Sequence, residues 1–163
     1  MKTRAAVLEQ SPAQRPYAES RPLKIMELDL APPGPDEVLV RVKAAGLCHS
    51  DMSVVNGDRP RPVPMALGHE AAGIVEALGP GVSDLAVGDH VVMVFMPSCG
   101  HCAPCAVGRP ALCEPGAAAN GAGTLLRGSR RLSRRGQAVH HHVGVSAFAD
   151  LAVISRRSLV TID

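Results

Sequence analysis

Residues 38–57 read "VLVRVKAAGLCHSDMSVVNG", and the two halves follow different periods. Val38, Val40 and Val42 alternate along "VLVRVKAAG", the pattern of a strand with one face set aside for a core. From Cys48 the pattern changes. "CHSDMSVVNG" has helix-start character, with Ser50 and Asp51 as capping candidates and Gly57 as a stop. Elsewhere the strand half is the one that recurs: "TRAAVLE" (3–9), "LKIMELDL" (23–30), "GHEAAGIVEALG" (68–79), "GDHVVMVF" (88–95) and "FADLAVISRRSLVTI" (148–162), the last closing with one or two short strands. Proline and glycine punctuate these runs at "APPGPDE" (31–37), "DRPRPVP" (58–64) and "GPG" (79–81), where neither a ladder nor a helix interior continues. Many short strands and few helices predict a mainly β fold with short helices, a barrel or a sandwich. One region fits poorly. Residues 116–146 carry "GAAANGAG", then "RGSRRLSRRGQ", then three histidines at 140–142, and read as an inserted loop. Its basic run reads as solvated surface, and three adjacent histidines cannot all face one ion in regular structure.

The totals bound the rest. A chain of 163 residues suits one domain and buries a core without disulfide staples. With 46% hydrophobic and 20% charged residues it is globular rather than disordered. With no Trp, one Tyr and two Phe, the core must be aliphatic. A net charge of +2 gives no argument for nucleic acid or an acidic membrane surface as a partner. "MKTRAAVLEQ" lacks an apolar signal core, and no apolar run approaches the roughly 20 residues of a membrane span. A cytoplasmic location is therefore expected, where thiols stay reduced and clustered cysteines suggest metal.

Four of the five cysteines fall in "CGHCAPCAVGRPALC", residues 99–113, with gaps of two, two and seven residues. Four thiolates in one segment match a closed, tetrahedral, structural zinc site at Cys99, Cys102, Cys105 and Cys113. The lobe offers only Val107 and Leu112 as sizeable apolar side chains, Gly100 and Gly108 allow tight turns, and Pro104 stiffens one of them. An iron–sulfur cluster is the second choice. The ferredoxin-type run has three residues before a final Cys-Pro, whereas seven intervene here and Glu114 follows Cys113. Disulfides are the third. Cys48 and His69 stand apart from this cluster. A lone cysteine and a lone histidine are ordinarily a small core residue and a hydrogen-bonded imidazole. Their neighbours Asp51 and Glu70 favour ligands instead, since a metal-bound histidine usually needs a carboxylate on its other nitrogen. A zincin helix is excluded, because the residue four after His69 is Gly73.

"GLCHSD", "LGHEAAGIVEALGPGV", "GDHVV" and the four-cysteine lobe together resemble the zinc-dependent alcohol dehydrogenases of the medium-chain dehydrogenase/reductase superfamily, from about residue 4 to residue 163. The resemblance implies a GroES-like, partly open β-barrel catalytic domain with a zinc-binding lobe and two zinc sites. Residues 116–146 look like the inserted loop of the longer bacterial members. By matching positions, Cys48 and His69 resemble catalytic-zinc ligands, and the four clustered cysteines resemble the structural set. Glu70 matches an acid that can approach the metal, Asp51 the carboxylate supporting the histidine, and Ser50 the hydroxyl that takes the substrate proton. Phe95 matches a position lining the substrate pocket, and His49 one near the cofactor pyrophosphate.

The implied activity is oxidation of a small alcohol to an aldehyde or ketone, with hydride transfer to NAD or NADP. A homo-oligomer is expected for the complete enzyme. Two departures qualify this. Ser53 stands where the family's relay histidine would lie. No stretch reads G-x-G-x-x-G after a strand, and all five cysteines are assigned before a third catalytic cysteine appears. The nucleotide-binding domain is thus absent from residues 1–163, and a truncated enzyme is expected. The alternative is a non-catalytic, zinc-stabilised GroES-like module.

Overall fold

The computed structural model describes all 163 residues, Met1–Asp163. The alternating segments become strands: β1 (Lys2–Leu8), β2 (Leu23–Leu30), β3 (Glu37–Gly46), β4 (Met65–Ala66), β5 (Glu70–Leu78), β6 (His90–Met93), β7 (Leu132–Arg134), β8 (Gln137–His141), β9 (Leu151–Ser155) and β10 (Leu159–Ile162). The helices are short: α1 (Tyr17–Ser20), α2 (His49–Val55), α3 (Ala103–Ala106) and α4 (Glu114–Ala122). None is long and apolar enough to cross a membrane.

Two sheets result. Strands β1, β2, β7, β8 and β4 close into a ring, the last joint being the pairing of β4 with β1. Strands β10, β6, β5, β3 and β9 form an open sheet in that order. The alternation of β3 decides how the two meet. Val38 and Val40 enter one core with Val75, Val91 and Ile154, while Leu39 enters the other with Val7, Leu28, Leu30 and Val139. Strand β9 divides in the same way: Ala152 and Ile154 join the first core and Val153 the second. Residues 38–40 of β3 and 152–154 of β9 are therefore a wall buried on both faces, which explains a run of consecutive apolar residues where a half-exposed strand would alternate. A third cluster seats α2: Val54 and Val55 pack against Leu8, Met65 and Leu67.

Residues 116–146 differ from the inserted-loop expectation. Cys113 caps α4 through its sulfur, Pro115 sits in the first turn, and Gly123 at φ 66° ends the helix. Strands β7 and β8 form a hairpin whose two turn residues, Arg135 and Gly136, both have positive φ (51° and 81°), the geometry that matches strand twist. Leu125, Leu132 and Val139 line the ring's core, each side chain stabilising the fold by about 1.5–3 kcal/mol. Arg127, Arg130 and Arg135 are among the exposed residues of this stretch, while Arg131 and Arg134 are half-buried. Without this stretch the ring would lack two of its five strands.

Candidate metal centres

Where β3 ends at Gly46 the chain turns into α2, and Cys48 is that helix's N-cap. Its Sγ accepts a hydrogen bond from the Ser50 N–H at 3.5 Å, and its own N–H donates to Asp51 Oδ2 at 3.3 Å. The reciprocal cap is thus Cys48 with Asp51, and Ser50 is not a cap. The other oxygen, Asp51 Oδ1, accepts from the Gly68 N–H at 3.1 Å and meets His69 Nδ1 at 3.3 Å. Gly68 is required here: its φ is +93°, and a Cβ would lie 2.4 Å from the Phe148 nitrogen. With Nδ1 engaged by Asp51, Nε2 is the nitrogen His69 has left to offer. Glu70, the first residue of β5, lies opposite Gly46, where a Cβ would come within 3.0 Å of its carboxylate.

The Cys48 sulfur, a His69 ring nitrogen and a Glu70 carboxylate oxygen all lie within 4.8 Å of one another. The Phe95 ring stands edge-on to His69, with centroids 6.3 Å apart, and is 52% exposed. His49 is exposed and faces Ser53, with Nδ1 3.4 Å from the hydroxyl, so it stays outside the donor set. The charges reinforce this arrangement. The Asp51 hydrogen bond holds the His69 pKa up despite burial. Burial alone would raise the Asp51 pKa, but His142 and His69 beside it outweigh that and hold it well below the carboxylate range. The Ser50 N–H pulls the Cys48 thiol down. The result is a thiol biased toward its thiolate, an imidazole backed by a carboxylate, and a second carboxylate, a donor set suited to zinc.

The second centre is more local. Cys99, Cys102, Cys105 and Cys113 are free thiols with all four sulfurs within 4.8 Å of one another. Cys102 and Cys113 sulfurs are 4.0 Å apart, close to the edge of about 3.8 Å that zinc–sulfur bonds of about 2.3 Å require of a tetrahedron. Backbone N–H groups already point at these sulfurs: Cys99 and Gly116 donate to Cys113, and Cys102 donates to Cys99. Gly100 and Gly108 have φ of 86° and 75°, and Pro104 opens α3. Val107 and Leu112 are 73% and 61% exposed, so the lobe builds no apolar core. The thiols do not agree on a protonation state. The His101 N–H draws Cys99 down to about 6, while burial pushes Cys105 up to about 12. A cation held by these four sulfurs would favour the thiolate form of each.

Sequence reasoning missed His142. Of the three consecutive histidines, His140 is half-buried beside Arg130, and His141 is buried with Nε2 accepting the Arg131 N–H at 3.1 Å. His142 is buried beside Asp51. The usable signal was the strand-like "QAVHH" after an Arg-Gly turn, which carries the next residue inward.

The model of the alcohol dehydrogenase GroES-like domain family matches residues 34–163. The putative alcohol dehydrogenase D of Mycobacterium tuberculosis is 42% identical over 163 residues, covering 100% of this chain and 42% of its own length. The crystal structure of an alcohol dehydrogenase zinc-binding domain protein from Burkholderia ambifaria superposes with a TM-score of 0.88 at 39% identity, over 100% of this chain and 42% of that one. Benzyl alcohol dehydrogenase from Acinetobacter calcoaceticus superposes with a TM-score of 0.85 at 35% identity, over 100% and 41%. The chain thus spans about two fifths of the length of the relatives it matches.

Proposed function

The chain belongs to the alcohol dehydrogenase GroES-like domain family, and from that premise we propose that it is the zinc-holding catalytic domain of an NAD- or NADP-dependent alcohol dehydrogenase acting on a small alcohol. One observation carries the reading: Cys48, His69 and Glu70 converge within 4.8 Å, with Asp51 behind the histidine. Cys48, His69 and Glu70 would hold a zinc ion, which when bound would supply Lewis-acid chemistry toward an alcohol oxygen, with a nicotinamide dinucleotide as the hydride acceptor.

The chain's own residues supply binding, orientation and proton handling. Asp51 fixes the His69 ring and keeps its Nδ1 occupied. Ser50, whose backbone N–H donates to the Cys48 sulfur, would accept the hydroxyl proton on Oγ while passing its own proton on toward Ser53 and solvent. Ser53 lies three residues on, on the same side of α2, and its hydroxyl meets His49 Nδ1 at 3.4 Å, a way out to solvent in place of a relay histidine. His49, exposed on the first turn, is also the group placed to meet a dinucleotide phosphate. Phe95, whose ring stands edge-on to His69, gives the substrate an apolar contact. The four cysteines of 99–113 hold a structural zinc.

Cobalt(II) added to the metal-free chain tests this by visible absorption. Two bands are expected, one lost in Cys102→Ser and the other in Cys48→Ala, with benzyl alcohol perturbing only the second. If Cys48→Ala leaves the spectrum intact, the reading fails. If both sites fill and no alcohol moves the spectrum, the non-catalytic zinc-stabilised module replaces it.

A further inference from the structure

Asp51 serves two imidazoles. His142 Nδ1 lies 3.1 Å from Asp51 Oδ1, the same oxygen that meets His69 Nδ1 at 3.3 Å. The His142 ring stands edge-on to the His69 ring, with centroids 5.1 Å apart at 88°. All three side chains are buried, and their ligating atoms lie within 4.8 Å of one another. The His142 ring has little freedom to leave. Its backbone N–H donates to Ser146 Oγ at 2.9 Å and to the Ala66 carbonyl, and Ser146 Oγ in turn donates to that carbonyl at 2.7 Å. Its Nδ1 meets no hydrogen bond of good geometry, although it is fully buried. A buried ring nitrogen left unpaired costs about 1–3 kcal/mol. Asp51 Oδ1 is the acceptor within reach, so a small rotation completes the bond.

We propose that His142 is a positioning residue for the Cys48–His69–Glu70 centre. It holds Asp51 Oδ1 from the side opposite the helix cap and buttresses the His69 ring edge, which fixes the direction in which Nε2 points. No step of the chemistry passes through it. Its effect reaches the metal through Asp51 and His69, in the way that partners of ligating histidines typically change metal affinity by 10–100-fold. The inference rests on the proposed metal site at Cys48.

The test is cobalt(II) and zinc affinity of the full chain, measured by competition with a chelator and by absorption, in His142→Phe and His142→Gln beside Cys48→Ala. His142→Phe is expected to weaken binding at the Cys48 centre by about 10–100-fold and to change its cobalt spectrum, with the four-cysteine band and the melting temperature kept. His142→Gln, which retains a donor, is expected to recover most of both. Affinity and spectrum unchanged in His142→Phe overturn the inference, as does equal weakening in the two variants. Loss in Cys48→Ala with no change in His142→Phe sinks this inference alone, whereas no loss in Cys48→Ala sinks the reading of the site itself. If His142→Phe does not fold, ring-labelled wild-type protein decides: the His142 nitrogen resonances must shift when zinc fills the Cys48 centre, and fixed resonances overturn the inference.

Discussion

The two centres are built in opposite ways. The lobe draws its four sulfurs from fifteen consecutive residues and leaves Val107 and Leu112 in solvent. The Cys48 centre draws on the start of α2, the β4–β5 junction and the segment after β8, and it buries Asp51, His69 and His142. The first has N–H···S hydrogen bonds but no apolar core, and on the proposed reading a metal would supply what is missing. The second is held by a helix cap, by the Gly68 amide and by the cluster of Leu8, Val54, Met65 and Leu67, whatever its occupancy. On the proposed reading, one site would fold with its ion and the other is prepared for it.

That contrast is breakable, first at the lobe. Chelation, or Cys102→Ser, is expected to collapse the hydrogen-exchange protection of the Cys99, Cys102 and Gly116 amides, whose acceptors are sulfurs. Binding free energies of about 10–16 kcal/mol for structural zinc set the scale of what is lost. In the metal-free state, wild type and Cys102→Ser should melt together, and a lobe that stays protected in chelator refutes the contrast. Next is Asp51→Ala in the metal-free chain, which strands the donors of Cys48, Gly68 and His69. A loss of about 2–5 kcal/mol by urea titration is expected, and an unchanged midpoint would mean that the centre is not prebuilt.

Acid sharpens the comparison further. Burial drives His141 down to about 3, below the ordinary value near 6.5 that it regains on unfolding. The unfolded chain therefore binds the proton first. Stability is full above pH about 6.5 and falls as the pH drops toward about 3, at up to about 1.4 kcal/mol per unit. From pH 7 to 5.5 the His141 contribution in the metal-free chain costs about 1 kcal/mol, while His69, raised beside Asp51, works in the opposite sense, so the check is the slope of wild type minus that of His141→Leu, a variant expected to be less stable at pH 8. The smallest effect belongs to Phe95→Ala. A half-exposed ring should change stability by no more than about 0.5 kcal/mol, while altering the response of the cobalt spectrum to benzyl alcohol. A large loss of stability would make Phe95 part of the packing instead.

Much of this was legible because the period of a strand survives in short runs. "LKIMELDL" becomes β2 end to end, and Val38 and Val40 share a face as their spacing predicts. The lobe was legible because its spacing is local. The expected Ser50 cap was displaced because a cysteine sulfur can accept the same backbone bond when Asp51 answers from three residues on. The stretch 116–146 was hidden for a different reason. Strand β7 has three residues, its hairpin turn is Arg135-Gly136 between Arg134 and Gln137, and α4 is built from small residues, so each element is too short or too bland to carry a period. Burial there is decided by the ring's closure, a contact between β7 and β2 about a hundred residues apart that no local pattern encodes. His142 was hidden with it.

The wall of β3 and β9 has one more consequence, for how this chain tolerates change. A strand with one wet face accepts polar residues at every second position. Val38, Leu39 and Val40, facing Ile154, Val153 and Ala152 across the ladder, have no such positions. A library of variants should therefore show an unbroken band of intolerance there, as severe as at the ligands, although these residues touch neither metal nor substrate. Over evolutionary time such a band would drift as slowly as a catalytic motif, and its invariance would record architecture rather than chemistry.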